Sequence, residues 1–301
     1  MRVVAALGGN ALIRRGEPSD AQAQRTNVAL AVASLAPIAR DHELVVTHGN
    51  GPQVGLLALQ AESYEAVRPY PLDVLGAESE GMIGYLLDQE LVNSLKDRRV
   101  ATLLTQVVVD RKDPAFAHPS KPIGPLYTRE VAERLASERG FSIAPDARAW
   151  RRVVPSPEPL RIIELESIHI LLDAGVIVVC VGGGGIPVAQ GAAGELVGVE
   201  AVIDKDLAAA LLARELGADV LLLLTDVASV EVGWGTPAAR PLREATPEEI
   251  RALGLAAGSM GPKAEAAARF ADGGGRAVIA AMGDAGGALS GDAGTQVSPH
   301  R

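Results

Sequence analysis

The sequence of 301 residues is short of cysteine, of lysine and of long apolar runs. Its single cysteine, Cys180, excludes an internal disulfide and favours a reducing compartment. The apolar run over residues 1–9 is too short for the hydrophobic region of a signal peptide. The longest apolar stretches, at 176–181 and 220–224, are much shorter than a membrane span. We therefore expect a cytoplasmic protein.

The sequence also has fewer basic than acidic residues. The chain has 28 Lys and Arg against 37 Asp and Glu, which gives a formal net charge of −9. Nucleic acids and anionic membranes attract basic surfaces, so this balance argues against general binding to either. An anionic ligand must instead be met by a local cluster of positive groups. With 48% hydrophobic and 22% charged residues, the composition is that of an ordinary globular protein.

Lysine is rare even among the basic residues. Only five of the 28 are lysines, at positions 96, 112, 121, 205 and 263, and the rest are arginines. A coding bias toward arginine is one explanation. Lysine, however, presents a compact point charge where arginine presents a planar fork. The positions that keep lysine are therefore candidates for sites that need a point charge.

Short apolar runs alternate along the chain with segments of helical periodicity. The predicted strands are 3–7, 44–47, 100–109, 176–181, 220–225 and 277–280. The predicted helices between them are 20–40, 52–67, 81–96, 162–174, 205–216 and 262–271. This alternation predicts an α/β fold with an open, mainly parallel sheet between helix layers. Such sheets bind ligands at the carboxyl ends of their strands.

Residues 110–159 depart from this alternation because they are rich in proline at both ends. Proline is excluded from the interior of a central strand. We therefore expect a small protruding subdomain or lid here, with its own helix near 128–139. The glycine-rich stretch 283–294 predicts a loop near the surface or near a ligand.

Four predicted strands end in turns suited to an anion. Glycine lets the backbone approach a ligand closely, and the N–H groups at the start of a following helix favour negative charge. The turns are Gly8-Gly9-Asn10, Gly49-Asn50-Gly51, Gly182-Gly183-Gly184 and Thr225-Asp226-Val227. Any one of them is explained more simply by tight packing of a strand against a helix. Four in one sheet favour an anion site.

Two common nucleotide-binding fingerprints are absent. The sequence has no Gly-x-x-x-x-Gly-Lys-Ser/Thr, and Val54 stands where Gly-x-Gly-x-x-Gly needs a glycine after Gly49. The five histidines have no metal-ligand spacing, so no protein metal ligands are predicted. His48 is either a ligand residue or, more simply, a hydrogen-bonded histidine at a strand end.

Three of the five lysines lie in turns that fix local geometry. Lys205 lies between two aspartates at the start of an alanine-rich helix, Lys263 follows a Gly-Pro turn, and Lys121 lies in the proline-rich insertion. A lone lysine is usually a solvated surface group. Held about 4 Å from a phosphate, however, it contributes roughly 4 kcal/mol at an effective dielectric constant of 20. Two or three such lysines would contribute substantially to phosphoryl transfer.

Taken together, these segments resemble the carbamate kinases of the amino acid kinase family. The motifs occur in order across nearly the whole chain and are highly specific as a set. They are Gly8-Gly9-Asn10-Ala11, His48 to Gly55, Leu104 to Asp110, Lys121-Pro122-Ile123-Gly124-Pro125, Trp150 to Pro157, Gly182 to Pro187, Val202-Ile203-Asp204-Lys205-Asp206 and Gly258 to Lys263.

The resemblance implies reversible phosphoryl transfer between MgATP and carbamate, giving MgADP and carbamoyl phosphate, often in the direction of ATP synthesis in arginine-fermenting organisms. It implies a three-layer amino-acid-kinase fold and a homodimer. It also implies an acceptor-binding half over 1–175 and a nucleotide-binding half over 176–301, with 110–159 inserted as the protruding subdomain. Mg²⁺ is expected to be held mainly by phosphates and water.

The resemblance also implies roles for individual residues. Lys121, Lys205 and Lys263 match lysines that neutralise the transferring phosphoryl group, and Asp206 matches an aspartate that orients them. The acceptor loops are matched by Gly8, Gly9, Asn10, Gly49, Asn50 and Gly51. The nucleotide-binding segments are matched by Gly182, Gly183, Gly184, Thr225, Asp226, Val227, Met260 and Lys263. A simpler role remains open for Asp204 and Asp206, since either suits a helix cap.

The sequence differs at three places from related kinases. Ala6 stands where relatives that phosphorylate amino-acid carboxylates carry a lysine, which favours carbamate as acceptor and Lys121 as the replacement charge. The segment 76–81 is more acidic than is common in the family, and Glu231 stands where an aromatic residue is common. Two other functions remain open: another small-acid kinase of this fold, and a non-catalytic sensor of nucleotide or carbamoyl phosphate.

Overall fold

The computed structural model describes residues 1–13, 17, 20–64, 66, 68–146, 148–256 and 260–299, with the backbone alone at 10 and 11. The strands are β1 (Arg2–Leu7), β2 (Glu43–His48), β3 (Arg99–Thr102), β4 (Gln106–Val108), β5 (Lys121–Tyr127), β6 (Ser142–Asp146), β7 (Ala149–Val154), β8 (Arg161–Ile162), β9 (Val176–Val179), β10 (Ile186–Gln190), β11 (Leu196–Gly198), β12 (Val220–Thr225), β13 (Glu231–Val232), β14 (Arg240–Pro241), β15 (Glu244–Ala245), β16 (Arg276–Ala281) and β17 (Thr295–Val297). The helices are α1 (Gly9–Leu12), α2 (Ala21–Asp41), α3 (Gly51–Ser63), α4 (Leu72–Ser94), α5 (Arg129–Arg139), α6 (Leu165–Asp173), α7 (Lys205–Glu215), α8 (Pro247–Ala252), α9 (Met260–Asp272) and α10 (Ala285–Ser290).

The central sheet has the strand order β15-β17-β16-β12-β1-β2-β9-β3. All of its pairings are parallel except that of β16 with β17. Each of the four predicted turns follows one of four adjacent parallel strands, which are β12, β1, β2 and β9. The turns after β12, β1, β2 and β9 therefore start at the same edge of the sheet.

Helices cover both faces of this sheet. Along β1, Val4 and Ala6 join an apolar cluster with residues of α6, α7, α8 and α9, whereas Val3 and Leu7 join a cluster with residues of α2, α4 and α10. Alternate residues of a strand point to opposite faces, so a continuous apolar strand is buried on both sides. This confirms the predicted α/β fold, in which an open, mainly parallel sheet lies between helix layers.

A separate three-stranded antiparallel sheet, in the order β5-β7-β6, lies inside the proline-rich region. It carries α5, which is capped by Thr128 at its start and by Gly140, a residue with φ of 70°, after its last residue. Strand β5 packs against α3 of the main body. The strands β11-β10-β4-β8 form a small sheet of their own. The division of the chain into functional halves stays a prediction.

Two predicted elements were wrong. Residues 100–109 form two strands in different sheets, because the chain turns at Thr105, whose hydroxyl donates to the Leu103 carbonyl and accepts from the Val181 N–H. Within 283–294, predicted to be a loop, lies the helix α10, which packs against α2 and β16. Its small buried residues Ala285 and Ala288 permit this close packing, and Gly291 ends it in the left-handed region.

In the part of the chain that the structure describes, no helix combines the length and the apolar character needed to cross a membrane.

Candidate active site

Two lysines that are distant in the sequence share one buried carboxylate. Lys205 Nζ lies 2.5 Å from Asp206 Oδ1, and Lys263 Nζ lies 3.2 Å from Asp206 Oδ2. Lys205 and Asp206 begin α7, and Lys263 lies in the first turn of α9. The side chains of Lys205 and Asp206 are 10% and 4% exposed, so this is a buried ion-pair network and not a solvated surface pair.

The third lysine arrives from the inserted sheet. Lys121, at the start of β5, lies with its Nζ 2.5 Å from Asp204 Oδ2. The other oxygen of Asp204 accepts from the backbone N–H groups of Asp206 and Leu207 at 2.9 and 3.3 Å. Asp204 is therefore both the N-cap of α7 and the partner of Lys121. Because Asp206 lies two residues further on, all three lysines meet at the start of α7.

Charge at this point favours an anion. Three ammonium groups face two carboxylates, so the cluster keeps an excess of positive charge. Burial by itself would raise the pKa of Asp206, but the nearby Lys205 and Lys263 lower it to about 2. Burial lowers the pKa of Lys205, and the charge of Lys263 lowers it further, while Asp206 opposes both effects. A lysine at the positive end of a helix is also electrostatically unfavourable, so the cluster is better suited to binding a negative group than to stability alone.

The glycine turns after β1 and β2 lie against this cluster. A Cβ on Gly49 would come within 2.9 Å of the Gly9 backbone nitrogen and 3.2 Å of Lys205 Cδ. The Gly8 N–H donates to the Leu224 carbonyl at 2.9 Å, and the Gly49 N–H to the Leu7 carbonyl at 3.0 Å. Gly51, at the start of α3, has open space where a Cβ would be. Substitution at Gly49 would thus disturb both the neighbouring turn and the lysine.

The turn after β9 has an unusual backbone. Val181, Gly183 and Gly184 have φ values of 54°, 68° and 96°. A β-branched residue in this region is strained, and such strain persists only where the surroundings enforce it. Here the Val181 N–H donates to Thr105 Oγ1, and its carbonyl accepts from Thr47 Oγ1. A Cβ on Gly183 would lie 2.2 Å from Asn50 Nδ2, so this turn packs directly on the turn after β2.

Two residues of α4 that sequence reasoning did not assign to the site hold these turns in place. Ser79 Oγ accepts from Asn50 Nδ2 at 2.8 Å. Glu80 accepts from the backbone N–H of Gly182 at 2.8 Å and from that of Thr105 at 3.1 Å. Ser79 and Glu80 are almost fully buried. The acidity of segment 76–81 was the signal available in the sequence.

Both interpretations of His48 stay open, because only one of its two ring nitrogens has a partner within the described part of the chain. It is fully buried, and its Nδ1 lies 3.2 Å from the Gly49 carbonyl. Its Nε2 has no protein partner among the described residues. Burial lowers the pKa of His48 to about 4, with the charge of Lys205 acting in the same direction, so the ring is neutral at pH 7.

Two of the predicted nucleotide-binding segments lie near the lysine cluster, one at the end of β12 and one at the start of α9. Thr225 ends β12, the neighbour of β1, and its hydroxyl lies 3.1 Å from Asp226 Oδ1. Met260 begins α9, the helix that carries Lys263. Glu231 lies half-buried in β13. Residues 258 and 259 and the side chain of Asn10 lie outside the described residues. The nucleotide-binding and acceptor-binding roles stay predictions.

The described residues contain no group of three or more His, Cys, Asp or Glu side chains arranged to hold a metal ion. Asp204 and Asp206 supply oxygen atoms of the kind Mg²⁺ prefers, but both are engaged by lysines. How Mg²⁺ is held stays a prediction.

Comparisons with known proteins agree with the geometry. The model of the amino acid kinase family matches residues 1–281. A carbamate kinase of Haemophilus influenzae is 55% identical over 300 residues, which cover 99% of this chain and 97% of that protein. A solved structure of carbamate kinase from Giardia lamblia bound to citric acid is 41% identical, covers 99% of this chain and 98% of that one, and has a TM-score of 0.93. The Giardia lamblia enzyme bound to AMP-PNP has the same identity and coverage with a TM-score of 0.89.

Proposed function

The chain belongs to the amino acid kinase family, and we propose that within it the protein acts as a carbamate kinase, transferring a phosphoryl group reversibly between MgATP and carbamate. It is a phosphotransferase, and its similarity to carbamate kinases extends over whole chains. The two other candidate functions, a different small-acid kinase and a non-catalytic sensor, gain no support from these relatives.

The observation that carries the proposal is the meeting of Lys121, Lys205 and Lys263 at two aspartates. The three lysines come from β5, α7 and α9, and the glycine turns after β1 and β2 lie beside them. Phosphoryl transfer needs little covalent chemistry from the protein and depends on alignment and charge neutralisation. A buried cluster with excess positive charge supplies the second of these.

The reaction that forms ATP from carbamoyl phosphate and ADP requires no proton transfer by a side chain. The bond between phosphorus and the carbamate oxygen of carbamoyl phosphate breaks, and a bond forms between phosphorus and a β-phosphate oxygen of ADP. Carbamate leaves as an anion, so no proton has to be moved. In reverse, carbamate is already an anionic nucleophile and needs no general base. With its pKa lowered to about 4 by burial, His48 is a weak base, and the reaction as written does not need one.

Each lysine has a separate task in this scheme. Lys205, held by Asp206 beside Gly49, faces the bridging oxygens of the transferring group. Lys263, on the other oxygen of Asp206, faces the nucleotide phosphates. Lys121, carried by the inserted sheet over 110–159, faces carbamoyl phosphate. Asp206 keeps the first two ammonium groups apart and oriented.

The remaining expectations extend the same proposal. The acceptor lies in the half formed by 1–175, against Gly8, Gly9, Asn10 and the turn at 49–51. The nucleotide lies in the half formed by 176–301, against the segments at 182–184, 225–227 and 260. Mg²⁺ bound to the nucleotide phosphates would neutralise part of their charge. The functional unit is a homodimer working in arginine metabolism.

A direct assay tests this function. The protein is mixed with MgADP and carbamoyl phosphate, and ATP is measured as it forms. We expect ATP in proportion to enzyme, with acetyl phosphate a much poorer donor. The matched control is Lys96→Ala, which removes an exposed lysine remote in the sequence from the three site lysines. Wild-type protein that binds ADP but forms no ATP would contradict the proposal.

A further inference from the structure

Glu80 is a buried glutamate in the middle of α4 with only 1% of its surface exposed. Its carboxylate lies 2.8 and 3.1 Å from the backbone nitrogens of Gly182 and Thr105, one through each oxygen. Neither partner carries a positive charge. The group therefore keeps its place through two backbone N–H donors and not through an ion pair.

Those two donors belong to the parts of the backbone that shape the strained turn after β9. The Gly182 N–H follows Val181, the one described non-glycine residue with positive φ. Thr105 holds Val181 from the other side through its hydroxyl. Glu80 thus holds Gly182, which follows the strained Val181, and Thr105, whose hydroxyl restrains Val181. Gly183 packs on Asn50, so a change in the conformation of this turn would also move the turn after β2.

The two hydrogen bonds favour one protonation state of Glu80. An ionised carboxylate accepts hydrogen bonds with both oxygens, whereas a carboxylic acid has one oxygen that must also donate. Two N–H donors are therefore satisfied best by the ionised form. Burial opposes ionisation and raises the pKa of Glu80 to about 8, although its two backbone hydrogen bonds lower it. The group consequently changes its charge within the working range of many enzymes.

The titratable groups around Glu80 are few. His48 from β2 and Glu80 both crowd the position of a Cβ on Gly182, at 2.3 Å from Nε2 and 3.0 Å from Cγ. Cys180 follows β9 and Glu164 precedes α6, and Glu164 raises the pKa of Glu80 by like-charge repulsion. His48, with a pKa of about 4, is neutral between pH 6 and 9. Burial raises the pKa of the Cys180 thiol, so it is also neutral there.

We propose that Glu80 is a positioning residue for phosphoryl transfer: its ionised carboxylate locks the turn at 181–184, and its protonation loosens that turn and slows the reaction. The inference rests on the proposed function for its catalytic part. The effect on the backbone is independent of any activity.

The first experiment compares pH profiles of kcat for ATP formation from MgADP and carbamoyl phosphate. We expect kcat of the wild type to rise as the pH increases through about 8. Glu80→Gln offers one acceptor oxygen and an NH₂ that faces a donor, so above pH 8.5 its kcat should be about tenfold lower, with the rise abolished. The exposed neighbour Glu78 gives the matched control, and Glu78→Gln should keep the wild-type profile.

The buried lysines and the acceptor contribute equally to both profiles, so the difference between wild type and Glu80→Gln reports Glu80. A structural role alone would lower kcat at every pH and leave the shape of the profile unchanged. That outcome, or a wild-type profile kept intact by Glu80→Gln, overturns the proposal.

A second experiment needs no variant and no turnover. The backbone amide chemical shifts of Thr105 and Gly182 are followed by NMR in ¹⁵N-labelled wild type from pH 6 to 9.5. We expect both to move with one common midpoint near 8. If neither amide responds, Glu80 does not titrate against them and the proposal fails. If both respond but the wild type forms no ATP, the proposed function fails while the backbone part of the inference stands.

Discussion

Lys263 Nζ lies 3.2 Å from Oδ2 of Asp206, the carboxylate whose other oxygen pairs with Lys205. One carboxylate therefore orients two ammonium groups that come from different helices. Asp206→Asn keeps the shape of the side chain but places an NH₂ against one of the lysines. We expect kcat for ATP formation to fall by more than about a hundredfold, because both lysines lose their orientation. Circular dichroism and thermal unfolding check that the fold is kept, and near wild-type kcat would contradict the role of Asp206.

Substitution of Lys205 or Lys263 should lower kcat much more than it affects folding. Lys205→Ala and Lys263→Ala should each lower kcat by more than about a hundredfold, because the charge of the transferring group is no longer neutralised. Lys263→Arg should rescue little, since a planar guanidinium does not replace a compact ammonium group. Initial rates at saturating MgADP measure this. Full activity in both alanine variants would remove the assignment.

Lys121 tests the inserted sheet as part of the acceptor site. We expect Lys121→Ala to raise the KM for carbamoyl phosphate and lower kcat, with the Kd for ADP changed less than about twofold, because Lys121 comes from the inserted sheet and pairs with Asp204. Lys112→Ala, an exposed lysine that precedes the same sheet, is the control. Equal weakening of ADP and carbamoyl phosphate would count against this placement.

His48 should make stability depend on pH. Its folded-state pKa is about 4 because of burial, below the ordinary value of 6.5. Between these values the unfolded chain binds a proton that the folded protein does not. The free energy of unfolding should therefore fall as the pH drops from about 6.5 to about 4, by on the order of 3 kcal/mol. Urea unfolding at several pH values measures this.

His48→Asn is the variant for comparison, since its amide can still donate to the Gly49 carbonyl. It should be less stable than the wild type at pH 7 but should lose less stability over that pH range. Parallel curves for the two proteins would show that His48 does not cause the acid sensitivity.

Cys180 should be inert in the folded protein. It is 1% exposed, and burial raises the pKa of its thiol, so little thiolate is present at pH 8. Ellman's reagent should give no fast reaction with the native protein and one thiol per chain in guanidinium chloride. A rapid reaction under native conditions would show that the end of β9 opens to solvent.

Much of the fold could be predicted because continuous apolar strands such as 220–224 have few alternatives to a sheet covered on both faces. The break at Thr105 could not, because it depends on a hydroxyl that bonds to Val181, far away in the sequence. The helix α10 was missed because a glycine-rich segment has low intrinsic helix propensity, and tertiary packing of Ala285 and Ala288 overrides it.

Part of the site could be predicted from the few lysines in the sequence. Lysine in a fixed turn is visible in a sequence that otherwise uses arginine, and the structure brings Lys121, Lys205 and Lys263 together. Glu80 could not be placed, because its partners are backbone N–H groups, which every residue except proline carries. Such a contact leaves no pairing pattern in the sequence.

In the proposed mechanism, three ammonium groups act on one transferring phosphoryl group. A crystal structure of the protein with MgADP, carbamate and a planar phosphoryl analogue such as aluminium fluoride would show whether they do. We predict the Nζ atoms of Lys121, Lys205 and Lys263 within about 3.5 Å of the analogue or its bridging oxygens. An analogue bound elsewhere, with the lysines still paired only to Asp204 and Asp206, would contradict this mechanism.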